Sequence, residues 1–102
     1  MKIDHNLSAD ELIIKLAGEL DEKSGPLVRM TLDSLIDSAK FKRIRIDMSK
    51  LSFMDSTGIG VLIGRYKRLK PRGVPIILQS PTPTVDRVLK LSGIYNIMIK
   101  AG

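Results

Sequence analysis

The chain has 102 residues, 43% of them apolar and only 4% aromatic, with no tryptophan and no cysteine. That length suits one domain, the apolar share excludes wholesale disorder, and the core must be built from Ile, Leu, Val and Met. Absence of cysteine excludes a disulfide framework, a thiol nucleophile and a cysteine zinc site, while the formal net charge of +6 serves solubility as readily as it serves an acidic partner.

The opening "MKIDHNLS" has no apolar signal core, and the longest apolar runs are "LII" and "VLI". Neither spans a bilayer, so a cytoplasmic protein with no membrane partner is expected. "KIDHNL" alternates, with Ile3, His5 and Leu7 on one side. "ELIIKLAG" alternates again, with Leu12, Ile14 and Leu16 opposite Ile13, Lys15 and Ala17. The polar "SAD" between the two runs predicts a hairpin. The period then changes in "ELDEKSGPLVRMTLDSLIDSA", where Leu27, Met30, Leu35 and Ala39 recur at helical spacing as an apolar stripe. "KRIRIDMS" alternates Ile44, Ile46 and Met48 against Arg45 and Asp47 and predicts a strand. "STGIGVLIGRYKRLK" predicts a helix with Ile59, Leu62, Ile63, Tyr66 and Leu69 as its stripe, and with Val61, Arg65 and Arg68 pointing away. "PRGV" stops that helix and "PIILQ" is a short strand. "TPTVDRVLKLSG" opens on a cap residue and a proline, carries Val85, Val88 and Leu89, and stops at Gly93. "NIMIK" is a last strand. The order β-β-α-β-α-β-α-β predicts an α/β single domain over residues 1–102. Its sheet is mixed, with four to five strands packed with three or four helices.

"FMDSTGIG", residues 53–60, carries the chemistry worth weighing. A nucleophile elbow needs Gly-x-Ser-x-Gly, but Met54-Asp55-Ser56-Thr57-Gly58 lacks the first glycine. His5, the only histidine, is remote in sequence, so no catalytic residue is assigned and the protein is not expected to be an enzyme. Gly58, Gly60 and Gly64 miss the dinucleotide fingerprint by one residue, and no lysine completes a phosphate loop. One histidine and scattered carboxylates give no metal-ligand spacing, so neither metal nor cofactor is expected. "RYKRLKPR" brings Arg65, Lys67, Arg68, Lys70 and Arg72 together, and no acid occurs from Ser56 to Thr84. With no stacking platform or recognition motif, a solvated helix face is favoured over nucleic-acid binding.

What remains is display. Asp55 or Ser56 fits the helix N-cap, and the small residues at 56–60 leave that helix end bare. Glycines cost about 1 kcal/mol each inside a helix. They suggest close approach, by a partner at Gly58 and by the protein's own sheet at Gly60 and Gly64. A hydroxyl at a helix start also suits phosphorylation, because the free N–H groups and the dipole welcome the added charge. Val61, pointing outward, is a further candidate contact.

"IDMSKLSFMDSTGIGVLIGRYKRLK" resembles the central segment of STAS-domain anti-sigma factor antagonists of the sporulation stage II AA type. "IIKLAGELDEKS" resembles the family's second strand and Gly-Glu-Leu-Asp turn, and "SPTPTVDRVLKLSGIYNIMIK" its terminal helix and strand, so nearly the whole chain is covered. Family members often continue into a further C-terminal helix beyond the point matched by Gly102. The resemblance implies a STAS-like fold and a partner cycle. The unphosphorylated antagonist binds an anti-sigma factor that is also a serine kinase, freeing a sporulation sigma factor. Phosphorylation breaks that complex, and a PP2C-type phosphatase resets it. Ser56 corresponds to the phosphorylated serine, and Asp21 to an aspartate linked to partner binding. Asp55, Thr57, Gly58 and Gly60 correspond to the surrounding motif. A monomer is expected when free. A general stress-response sigma circuit and a basic nucleic-acid-binding domain are the alternatives.

Overall fold

A computed structural model describes residues 1–102. The strands are β1 (Lys2–Ser8), β2 (Glu11–Leu20), β3 (Arg43–Met54), β4 (Ile76–Gln79) and β5 (Ile99–Ala101). The helices are α1 (Gly25–Ser38), α2 (Ser56–Leu69) and α3 (Pro83–Ser92), with single 3-10 turns at Lys70–Arg72 and Ile94–Asn96. The element order is the one the periodicities predict.

The five strands form one sheet in the order β1-β2-β3-β4-β5. The opening pair is antiparallel, closed by a turn in which Ala9 adopts a positive φ of 53°. The other three pairs are parallel, each joined by a helix. Parallel crossovers are right-handed. All three step the same way, so the helices share one face of the sheet. Leu12, Ile14 and Leu16 of β2 and Ile44, Ile46 and Met48 of β3 turn to that face, within a cluster of 23 buried apolar residues. The other face is polar, and there Arg43 and Arg45 clamp the Glu11 carboxylate at 2.7 and 2.8 Å. Those two bonds, led by the one from Arg45, lower the Glu11 carboxyl below its ordinary range.

Simple alternation fails in the second half of β3. The buried residues there are Met48, Leu51 and Met54, spaced by three. Against β2, β3 carries one extra residue between Asp47 and Lys50 and another between Leu51 and Phe53. These two bulges bend the strand and re-aim its side chains. Phe53 ends up 40% exposed and Met54 buried. The chain therefore enters α2 with Asp55 already at the cap.

The stripe of α1 is not the predicted one. Val28, Leu32 and Ile36 face the core together with Gly25, whereas Leu27 is 51% and Met30 65% exposed. Two apolar sets at helical spacing overlap in this segment. Sequence periodicity does not say which one meets the core, and in the structure it is the set built on Val28, Leu32 and Ile36.

Candidate functional site

Because β2 and β3 are parallel and both feed helices, α1 and α2 begin at the same end of the sheet. That end is where β2 finishes at Leu20 and β3 at Met54, two residues paired across the sheet. Carboxyl ends of parallel strands are where α/β folds present their working groups.

Asp55 is the N-cap of α2. Its Oδ1 accepts the Thr57 N–H at 2.9 Å, and its own N–H donates to the Leu20 carbonyl at 3.3 Å. Of the two cap candidates, the structure selects Asp55. Ser56 is therefore the first helical residue, and it is exposed. A shallow depression beside it is lined by Asp21, Glu22, Lys23, Phe53 and Asp55.

Asp21 organises the β2–α1 turn. Its Oδ1 accepts N–H bonds from Lys23 at 2.9 Å and Ser24 at 3.1 Å, and Ser24 Oγ donates to the Glu19 carbonyl at 2.6 Å. The Gly25 N–H then donates to the Asp21 carbonyl at 2.8 Å. The backbone bond from Ser24 is the chief reason its carboxyl lies below the ordinary range. Asp21 thus holds the loop in shape, and it stands in the same depression as Asp55.

Three expectations at this end need correction. Val61 is not exposed but 7% accessible, turned toward α1 near Gly25. Arg65 is buried as well, with Asp33 Oδ1 of α1 2.9 Å from its Nε. Both residues lie on the flank of α2 that α1 covers, which a wheel drawn for one helix against a sheet does not represent. The glycines exchange roles. A side-chain carbon on Gly58 would fall 2.5 Å from Met54 Cγ and 3.0 Å from Leu20 Cγ, so Gly58 is the one packed against the protein's own sheet. Carbons added at Gly60 or Gly64 would meet nothing within 4 Å. Thr57 is half-buried, its methyl pressed on Gly25. Of the expected contact residues, Asp21 and Asp55 line one depression, Ser56 and Gly60 are exposed on the first turns of α2, Thr57 is half-buried, and Gly58 and Val61 are buried. Phe53, exposed in the same depression, lies beyond the strand that alternation predicts, which ends at Ser49.

The basic run is also less available than its sequence suggests. Arg68 Nη1 donates to Asp33 at 2.7 Å and its Nη2 contacts Asp37, while Arg72 Nη1 reaches the Ile36 carbonyl at 3.3 Å. Together with the burial of Arg65, this leaves Lys67, Lys70 and Arg72 without an acidic partner, and of these Arg72 is tied to a carbonyl. No group of histidine and carboxylate side chains is placed to hold a metal ion. No helix is long and apolar enough to cross a membrane.

The family model for the STAS domain matches residues 1–101. An anti-sigma F factor antagonist of Paenibacillus polymyxa is 39% identical over 87 residues, which is 85% of this chain and 74% of the relative. An anti-sigma-B factor antagonist of Bacillus subtilis is 29% identical over 98 residues, 96% of this chain and 88% of the relative. Among solved structures, the unphosphorylated anti-sigma factor antagonist SpoIIAA superposes with a TM-score of 0.84 at 30% identity, covering 99% of this chain and 89% of that one. The phosphorylated form of the Bacillus protein gives 0.75 at 29% identity, covering 99% and 92%.

Proposed function

The chain belongs to the STAS domain family, and on that premise we propose that it is an anti-sigma factor antagonist whose docking is switched by phosphorylation of Ser56. It acts by binding rather than by catalysis, as its antagonist relatives do by name. The observation that carries the switch is the exposed hydroxyl of Ser56 on the first residue of a capped helix.

A phosphate on Ser56 lies at the positive end of α2, where free N–H groups can donate to its oxygens, so the fold stands. It adds about −1.5 to −2 charge beside the Asp55 and Asp21 carboxylates. A partner seated on this surface must then bury or repel that charge, at a cost of about 2–5 kcal/mol. Docking is lost without any internal rearrangement.

The cycle proposed is that of a cytoplasmic module. An anti-sigma factor that is also a serine kinase binds the bare form, releases a sigma factor, and then uses ATP to phosphorylate Ser56. A PP2C-type phosphatase removes the phosphate. The similarity to an anti-sigma F factor antagonist favours a sporulation sigma factor. The anti-sigma-B antagonist of Bacillus subtilis supports a general stress circuit as the second reading.

Incubation with the cognate anti-sigma kinase and ATP should add one phosphate, followed by intact mass and site mapping. Ser56→Ala should take up none and keep binding, and Ser56→Asp should bind far more weakly. Phosphate appearing at another residue of Ser56→Ala would remove the assignment.

A further inference from the structure

Between the first halves of α1 and α2 runs a groove of about 290 Å³, walled by Pro26 and Arg29 of α1 and by Thr57, Gly60 and Arg65 of α2. First-turn residues of both helices, Gly25 and Pro26 of α1 and Thr57 of α2, border it, so both positive helix ends bear on it. Its charges do not balance. Asp33 is the only carboxylate near Arg65, and it is also engaged by Arg68. Asp37 is taken by the same Arg68. Arg29 has no ion pair. Three guanidinium groups thus share two carboxylates.

Arg65 is in the more demanding position. It is 7% exposed, and its Nε and Nη1 are enclosed without a hydrogen-bond partner. The 2.9 Å approach of Asp33 to Nε is an ion-pair distance but is out of line for a hydrogen bond. A buried guanidinium in this condition carries an unmet desolvation cost. Burial pushes its pKa below the ordinary value; Asp33 opposes this, and Arg68 and Arg29 add to it.

We propose that this groove is a socket for the carboxylate of an acidic side chain on the docking partner. A carboxylate is planar and two-pronged, matching the guanidinium edge that exposed Arg29 offers in the groove, and its charge offsets the excess positive charge of the cluster. Gly60 makes entry possible. It is exposed, and a carbon added there meets nothing within 4 Å, so a partner main chain can lie directly on α2. Gly60 is also one helical turn beyond Ser56. A partner covering the hydroxyl is therefore already in place to send a side chain into the groove. This socket rests on the reading of the Ser56 end as the docking surface and adds a second anchor to it.

Two experiments with the full chain test it. The first titrates isotope-labelled protein with sodium acetate against sodium chloride at equal ionic strength. Saturable shifts are expected at the Arg29 and Arg65 side chains and at the Thr57 and Gly60 amides, and they should be lost in Arg29→Glu. Absence of acetate-specific saturation overturns the socket. The second measures affinity for the cognate anti-sigma factor. Arg29→Glu, an exposed change that leaves the core alone, should weaken binding about ten-fold or more, and an acid-to-arginine change on the partner should restore it. If Ser56→Asp loses binding while Arg29→Glu binds like the wild type, the socket is wrong and the Ser56 reading stands. If Ser56→Asp binds like the wild type, the Ser56 reading fails, and the socket fails with it as a docking anchor.

Discussion

Gly58 stands directly on Met54. A carbon added to Gly58 falls 2.5 Å from Met54 Cγ, a distance no side chain tolerates without displacement. Met54 is itself buried at the end of β3 and pairs with Leu20 at the end of β2. The glycine is therefore what lets the first turn of α2 settle onto the ends of both strands and hold Ser56 outward.

Gly58→Ala should destabilise the protein. Alanine gains about 1 kcal/mol of helix propensity, but overpacking a filled site costs about 1–3 kcal/mol. Both Met54 and Leu20 are fully enclosed, so the upper part of that range applies and the net loss is about 1–2 kcal/mol. Urea denaturation followed by circular dichroism reads this as a lower midpoint with an unchanged slope. An unchanged or raised midpoint would show that the helix end can lift off the sheet.

Gly60→Ala should do the reverse in the free protein. Nothing lies within 4 Å of the added carbon, so only the propensity gain of about 0.5–1 kcal/mol remains. The same methyl group stands on the docking surface, and affinity for the anti-sigma factor should fall. A variant that is more stable and binds equally well would mean that no partner main chain approaches α2 at Gly60.

How much of this was legible in the sequence depends on which neighbour a residue meets. Strand and helix order was legible because each period is a local property and the caps at Thr82 and Gly93 are chemically explicit. The start of α2 at residues 55–56 was legible for the same reason, but which of Asp55 and Ser56 caps it was not, because both side chains suit the position. What failed was every statement requiring a second helix. Val61 and Arg65 look outward on a wheel that knows only the sheet, and α1 covers them. The roles of Gly58 and Gly60 were exchanged because the small spacing of residues says that something comes close, not from which side. Phe53 lies past Ser49, where alternation stops, and the two bulges that carry β3 on to Met54 are encoded by no such pattern.

Asp33→Ala should be costly although Asp33 itself is only partly buried. It removes the ion partner of Arg65, whose side chain is 9% exposed, and one of two partners of Arg68. An enclosed charge left alone costs about 3–5 kcal/mol, and access of water on the Asp33 side lowers this to about 2–3 kcal/mol. Removing both charges in Asp33→Ala, Arg65→Met should recover much of the loss, since no buried cation is left uncompensated. Chemical denaturation of the single and double variants gives the coupling directly. Equal midpoints for the two would show that Asp33 does not sustain Arg65.

The C-terminal elements carry a pH dependence of their own. Tyr95 OH donates to Asp86 Oδ1 at 2.6 Å, and Lys100 and Lys90 lie 3.0 and 3.3 Å from the same carboxylate. The Tyr95 bond is the largest reason that the Asp86 carboxyl drops to about 2, with Lys100 next. Its pKa in the folded chain is thus below the ordinary 3.8. The folded state binds fewer protons than the unfolded one in this window. The associated stability is complete above the ordinary value and is lost as pH falls through it toward about 2. Burial, followed by the Asp86 bond, raises the Tyr95 phenol above its ordinary 10.0, so at the alkaline end its contribution is kept below that value and lost above it. Tyr95→Phe removes the leading cause at Asp86, and its acid unfolding should begin at higher pH than that of the wild type. Superimposable acid limbs for the two proteins would mean that the lysines alone hold the carboxylate.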